Sequence, residues 1–150
     1  MKNNNYGKFL LTLSISFAIM YLVMFLNIAR ISHFYLSFTR FYMTLLMVAP
    51  MAVLMLLMMP MMYQDKKKNA IIMVSAAAVF GLALFGLRRQ ALISDLQYMK
   101  AMIPHHSSAI LVSKHANLQD PEVKKLAEKI IESQEKEISE MKGLINRLEK

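Results

Sequence analysis

Three long apolar runs constrain the fold of this chain more than any other feature of its sequence. They extend over residues 9–29, 41–63 and 70–87, and none of them contains a charged residue. About 20 apolar residues in a helix are enough to cross the hydrocarbon core of a bilayer. The sequence therefore predicts an all-α protein that is anchored in a lipid bilayer by three transmembrane helices.

The first run also has a feature of a secretory signal peptide, because Lys2 and Lys8 precede it. The apolar region of a signal peptide has only roughly 7–15 residues and is followed by a cleavage site with small residues. The run over residues 9–29 is longer, and no such site precedes Arg30. We therefore expect an uncleaved span.

The composition changes at Arg88. From there to Lys150 the chain has 11 Lys/Arg and 9 Asp/Glu, a net charge of +2, so the other +6 of the formal +8 belongs to the apolar part. We predict a membrane domain over residues 1–87 and a helical domain over residues 88–150. The high net charge then reflects loops beside a membrane, and no nucleic-acid partner is expected. The chain has no cysteine, which excludes disulfides and thiolate metal sites.

The basic residues of the loops bear on membrane orientation. The two sides of the membrane would hold Lys2, Lys8, Lys66, Lys67 and Lys68 on one side and Arg30, Arg40, Arg88 and Arg89 on the other. The positive-inside rule favours the lysine side as cytoplasmic by one charge. This balance indicates a cell-membrane protein whose C-terminal domain lies outside the cytoplasm.

The C-terminal domain has the pattern of two helices joined near "NLQDPEV". Asp120 suits an N-cap and Pro121 suits the first helical position, so one helix should end near Asn117 and the next should run nearly to Lys150. Both have an apolar seam with spacings of three and four residues. The seam residues are Leu92, Leu96, Met99, Ile103, His106 and Ile110, then Val123, Ala127, Ile130, Gln134, Glu137, Met141, Leu144 and Leu148. An antiparallel helical hairpin is predicted.

Further apolar residues lie beside these seams, namely Ile93, Leu111, Leu126, Ile131 and Ile138. Two helices of this size bury too little apolar surface to be stable alone. We expect the hairpins to self-associate into a homo-oligomer, with two hairpins forming a four-helix bundle.

Polar residues interrupt both seams at the same height. Folding the hairpin about residue 119 places residues whose numbers sum to about 238 side by side. The resulting neighbours are His106 with Gln134, Met102 and Ile103 with Glu137, and Met99 with Met141. Buried polar groups are costly without partners. The cluster is therefore either a hydrogen-bonded polar layer or a metal site.

The donor types favour copper as the metal. Thioether sulfur suits Cu(I), and imidazole suits either oxidation state. Met99, Met102 and His106 share one helical face, whereas His105 points about 100° away on a regular helix. Pro104 can either kink the helix and swing His105 inward or begin a new helix. The sequence leaves both possibilities open.

The stretches "YMKAMIPHHSSAI" and "DPEVKKLAEKIIESQEKEISEMKGLI" resemble the domain of unknown function family 305 (DUF305). Its members share Met-x-x-His-His-x-x-Ala-Ile and Gln-x-x-Glu-Ile-x-x-Met helices, and the resemblance covers roughly residues 95–147. It implies a ferritin-like helical domain, exported or membrane-anchored, that is associated with copper binding and copper tolerance. The chain also resembles the subset of this family that has three N-terminal transmembrane spans. The motif positions here are Met102, His105, His106, Gln134, Glu137 and Met141, and Val112 stands where many members have methionine.

The second apolar run contains Met43, Met47, Met51 and Met55 at four-residue spacing. Such a track could relay Cu(I) across a membrane, although methionine is also a common filler at helix contacts. The sequence lacks the two Glu-x-x-His motifs of a ferritin-type di-iron site. Ser107 and Ser108 lie near the histidines on one short helix, which offers no obvious general base together with a third residue to orient it. No enzyme is expected.

Three functions remain at this stage. The first is copper sequestration or hand-off to a copper-handling partner protein, with a copper ion, Cu(I) in preference, as the bound group. The second is a membrane-anchored structural or interaction module whose polar layer only fixes helix register. The third is a transporter subunit that uses the methionine-rich span.

Overall fold

The computed structural model describes residues 4–150, with side chains from Asn5 onward, and within this range all regular structure is helical. The elements are α1 (Asn4–Val23), a 3-10 helix (Ile31–His33), α2 (Phe38–Met58), α3 (Lys66–Arg89), α4 (Asp95–His115) and α5 (Pro121–Leu148). The predicted all-α fold is confirmed.

Helices α1, α2 and α3 correspond to the three apolar runs, and each is long and apolar enough to cross a membrane. Helix α1 ends at Val23, whereas its apolar run continues to residue 29. The segment Met24–Phe38 instead belongs to a different compact unit.

The chain forms two compact units, and each is assembled from separate stretches of sequence. The first contains Asn4–Val23 and Thr39–Leu92. The second contains Met24–Phe38 and Ile93–Lys150. The predicted division of the chain into a membrane domain (residues 1–87) and a helical domain (residues 88–150) stays a prediction.

Small residues allow close helix packing in the first unit. Ala76, Ala83 and Gly86 are the buried residues of α3, and their spacing places them on one face of the helix. A Cβ atom at Gly86 would lie 3.0 Å from the ring of Tyr42. The absence of a side chain at Gly86 therefore allows Tyr42 of α2 to approach α3 closely.

The second unit is built on the predicted hairpin of α4 and α5. Asp120 is the N-cap of α5, and its carboxylate accepts hydrogen bonds from the amides of Glu122 (2.8 Å) and Val123 (3.0 Å). Two ion pairs join α4 to α5, between Lys100 and Glu149 (2.6 Å) and between Lys114 and Glu135 (2.9 Å). The start of α5 at Pro121 is confirmed.

The buried face of α5 differs from its predicted seam. Ile138, which the sequence placed beside the seam, is buried together with Ile145. Leu144 and Leu148, which we expected in the seam, are exposed. The face is displaced because the hairpin is not alone in its unit, and the segment Met24–Phe38 covers part of it.

That covering segment packs through both apolar and polar groups. Ala29 and Tyr35 lie against the cluster of buried side chains formed by Met99, Ile103, Ile110, Ile138 and Ile145. At the end of the segment, the amide of Phe38 donates to Oε1 of Gln97 (3.1 Å). A core that two helices could not complete is thus closed by a third element of the same chain.

Candidate functional site

The two adjacent histidines lie on a single continuous helix. Pro104 is buried inside α4 and does not begin a new helix. His105 is exposed on the surface, whereas His106 is buried in the hairpin, and their ring centroids are 6.0 Å apart. The side chains therefore diverge as on a regular helix, and Pro104 does not turn His105 into the seam.

His106 meets the returning helix at Glu137. Its Nδ1 atom lies 3.1 Å from Oε2 of Glu137, but the contact is poorly directed, and Nδ1 is buried without a hydrogen bond in the described structure. The hydroxyl of Ser133 donates to the other carboxylate oxygen (2.7 Å) and holds it in place. The sequence placed His106 level with Gln134 and in one polar cluster with Gln134 and Glu137, and in the structure the residue that His106 contacts is Glu137.

The environment of His106 favours its neutral form. Burial lowers the pKa of the imidazole, the carboxylate of Glu137 opposes this effect, and His105 adds to the lowering. A neutral imidazole is the form that binds metal ions. The shift therefore favours, near neutral pH, the protonation state that binding of a metal would require.

The methionines of the motif lie on the same part of the hairpin. Met99 is buried, and Met141 packs against its cluster. Met102 is half-buried, one helical turn before His106 and on the same face. Gln134 is also half-buried, and no hydrogen bond joins it to His106 within the described part of the chain.

These donors limit which ion would fit. Among residues 5–150, no three His, Asp or Glu side chains lie close enough together to hold a metal ion. An ion at His106 and Glu137 would therefore need other donors, and thioethers are the soft donors available in this hairpin. One imidazole, one carboxylate and thioethers suit Cu(I) better than they suit a hard cation.

The four methionines of α2 do not share one environment. Met43 and Met47 are exposed, whereas Met51 and Met55 are half-buried. The buried residues of this helix are Thr44, Ala49, Ala52 and Leu56. A Cu(I) relay along the methionines stays a prediction.

A second histidine, His33, belongs to the same unit and was not predicted as a site residue. It lies in the 3-10 helix and is buried. Its Nδ1 atom is 2.8 Å from Oγ of Ser107, and this oxygen also accepts from the amide of Ala29 (2.7 Å). The only signal in the sequence is a lone histidine in an aromatic loop, and nothing there links it to α4.

The pair of His33 and Ser107 is not arranged for nucleophilic catalysis. Ser107 has an exposed fraction of 0%, so a substrate cannot reach its hydroxyl in this structure. The pair joins the segment Met24–Phe38 to α4, next to His106. Asn27 adds a further hydrogen bond, from Nδ2 to Oγ of Ser108 (2.7 Å).

The fold and the site define an all-helical protein with three apolar helices and a histidine-bearing helical hairpin. The family model described as "Domain of unknown function (DUF305)" matches residues 57–145, and the chain belongs to this family. The match begins before the motif helices and includes all of α3. The chain is 38% identical over 108 residues to "Uncharacterized protein L153" of Acanthamoeba polyphaga mimivirus, which covers 71% of this chain and 69% of that protein. No solved structure matches.

Proposed function

We propose that this protein is a membrane-anchored copper-binding protein that sequesters copper or hands it to a partner protein, without catalysing a reaction. The observation that carries the proposal is the buried Nδ1 atom of His106, which has no hydrogen bond although Glu137 is 3.1 Å away. Buried polar atoms normally have a partner, and a bound ion is one way to supply it.

His106, Glu137 and Met102 are the first ligands of this proposal, because they come from facing positions on α4 and α5 or from the same face of α4. Met99, Gln134 and Met141 are further candidates from the adjoining turns. His105 is exposed beside them and is placed to receive an ion from solvent. A copper ion would supply a soft cation that both imidazole and thioether can bind.

The membrane anchor of the proposal is α1, α2 and α3. Many of their large apolar side chains are exposed, including Leu10, Leu54 and Leu82, which suits a lipid environment better than water. The one-charge balance of the loops favours an extracytoplasmic C-terminal domain in the cell membrane. Copper tolerance is the role that fits this location.

A homo-oligomer also forms part of the proposal. An apolar groove near the turn of the hairpin is lined by Val112, Leu118, Val123, Leu126 and Ile130, and Leu126 is 56% exposed. A second hairpin covering this groove would bring the unit closer to a four-helix bundle. Crosslinking of the protein in membranes would measure this association.

A competition titration tests copper binding. The full chain, purified in a non-ionic detergent, is titrated with Cu(I) against a chelator of known affinity. Submicromolar binding is expected for the wild type, with a loss of at least tenfold in the His105→Ala/His106→Ala variant. Met102→Leu keeps the side-chain volume and should weaken Cu(I) binding while leaving Zn²⁺ binding unchanged.

His115→Ala is the matched control, because His115 is an exposed histidine on the same helix. It should bind Cu(I) as the wild type does. Equal weak binding by the wild type and the double variant would contradict the proposal.

A second function is favoured by one observation, the connected polar groups of Ser133, Glu137 and His106. In this alternative they form a polar layer that fixes the register of α4 against α5, and metal binding is incidental. It predicts that Glu137→Gln changes the oligomer or the hairpin packing without any copper present. Crosslinking and thermal unfolding in a chelator would detect such a change.

A further inference from the structure

A cavity of about 240 Å³ lies in the second unit, beside the candidate metal site but lined by other residues. The segment Met24–Phe38 contributes Arg30 and His33 to its wall, and α5 contributes Glu135, Ser139 and Lys142. Ala29 and two isoleucines, one from α4 and one from α5, complete the lining. The wall thus combines an apolar base with charged and hydrogen-bonding groups.

The charges of this wall favour an anion. Arg30 and Lys142 are cationic, and Glu135 is the one acidic side chain in the lining. Its carboxylate is already paired, since Lys114 lies 2.9 Å from Oε1 while Arg30 is 3.9 Å from the same atom. The cations of the lining, Arg30 and Lys142, thus outnumber its one carboxylate, which is already paired with Lys114.

His33 adds a neutral donor to the wall. Oγ of Ser107 accepts from the amide of Ala29 (2.7 Å), so its own hydrogen is available for Nδ1 of His33 (2.8 Å). Nδ1 then acts as the acceptor, and the neutral ring has its proton on Nε2. No residue of the described chain accepts a hydrogen bond from Nε2. Burial and the fields of Lys142 and Arg30 lower the pKa of the ring and keep it neutral.

We propose that this cavity binds a phosphate group. A phosphate offers several acceptor oxygens and up to two negative charges, which match a guanidinium, an ammonium, an imidazole N–H and the hydroxyl of Ser139. A guanidinium binds two phosphate oxygens at once. The phosphate can belong to a free anion or to the headgroup of a lipid, because both present the same oxygens.

The first experiment measures free phosphate. The full chain, in maltoside detergent and with a metal chelator present, is titrated calorimetrically with inorganic phosphate. The Arg30→Gln/Lys142→Gln variant should lose at least tenfold in affinity. Lys136→Gln/Arg147→Gln is the matched control, because it removes the same charges from exposed positions of α5. It should bind as the wild type does.

A charge-neutral variant separates the cavity from general surface charge. Ser139→Met fills the cavity without removing a cation, and it should weaken phosphate binding as the cation variant does. Circular dichroism of each variant confirms that the helices are retained. Equal binding by the wild type, the control, Ser139→Met and the cation variant would overturn the proposal.

The second experiment identifies the source of the phosphate. The same proteins are compared in mixed micelles that contain phosphatidic acid or diacylglycerol, which share acyl chains but differ in the phosphate. Retention of phosphatidic acid that requires Arg30 and Lys142, without binding of inorganic phosphate, assigns the site to a lipid headgroup. Binding of neither probe would overturn the proposal. Copper is absent throughout, so the result is independent of the proposed copper function.

Discussion

Two buried hydroxyl groups, one in each unit, find their hydrogen-bond partners at different distances along the chain. In the first unit, the buried hydroxyl of Thr44 donates to the carbonyl of Arg40, one turn back on its own helix (2.8 Å). In the second unit, the buried hydroxyl of Ser107 bonds to His33 and Ala29, which are 74 and 78 residues away in the sequence. The first arrangement is local, and the second joins distant parts of the chain.

The first unit has long-range bonds as well, such as the one from the hydroxyl of Tyr42 to the carbonyl of Ala91 (2.9 Å), so the comparison concerns these two buried hydroxyl groups. A helix that satisfies its polar groups internally suits a lipid environment, where no water can replace a missing partner. Side chains that are held together by long-range contacts are the ones that can create a site. The candidate copper ligands and the phosphate cavity both belong to the second unit.

The largest expected effect concerns the buried cluster of the second unit. Ile103 has an exposed fraction of 0%, and Ile103→Ala should lower the free energy of unfolding of this unit by about 2–5 kcal/mol. Leu82→Ala shortens a side chain that is 72% exposed in α3, and it should change stability by less than about 0.5 kcal/mol. Thermal unfolding in detergent measures both. Similar losses would remove the distinction between packed and exposed positions.

Next in size is the response of each unit to a new charge. Leu82→Lys should oppose membrane insertion by about 3 kcal/mol, whereas Leu126→Lys, at a similarly exposed leucine of α5, should insert normally. Carbonate extraction of membranes reports the inserted fraction of each variant. If Leu82→Lys inserts as fully as Leu126→Lys, α3 does not face lipid at this position.

A smaller effect is expected at the long-range hydrogen bonds. Ser107→Ala leaves the half-buried amide of Ala29 and Nδ1 of the buried His33 without their partner, and it should cost about 1–3 kcal/mol. Ser108→Ala removes the exposed bond to Asn27 and should cost less. Amide hydrogen exchange at Ala29 gives a direct readout. Unchanged protection of this amide in Ser107→Ala would show that the bond does not anchor the segment.

The smallest effect is a pH dependence. Burial lowers the pKa of His33 below its ordinary value of 6.5, with Lys142 and Arg30 adding to the shift and Glu135 opposing it. The unfolded chain therefore binds more protons than the folded chain below about pH 6.5, and stability should fall from there down to the folded pKa. His33→Asn should flatten this slope relative to the wild type. Melting temperatures between pH 7.5 and 5 in a chelator test this, and an equal slope in both proteins would contradict it.

Local signals explain how much of the fold could be predicted. Charge-free runs identified the three apolar helices, and the Asp120 and Pro121 pair located the start of α5 because capping depends on neighbouring residues alone. The hairpin itself followed from seams with a spacing of three and four residues.

Long-range packing explains what the sequence could not predict. The rotation of α5 that buries Ile138 depends on the segment Met24–Phe38, which is distant in sequence and has no periodic pattern. The sequence grouped His106 with both Gln134 and Glu137 but could not say which of them it contacts, because a short connection sets helix register only to within a turn. His33 was missed for the same reason, since its bond to Ser107 depends on tertiary structure.

The bond between Ala29 and Ser107 also has a consequence for the order of synthesis. A chain made at about 5–20 residues per second needs roughly 4–16 s to proceed from the amide to the hydroxyl that accepts it. During this interval the amide of Ala29 and the ring of His33 depend on water or lipid headgroups for their hydrogen bonds. The second unit can close only after α4 has been made, although its covering segment is made before α4. A fragment that begins at Ile93 would contain Ser107 but would lack Ala29 and His33, the two hydrogen-bond partners of its hydroxyl.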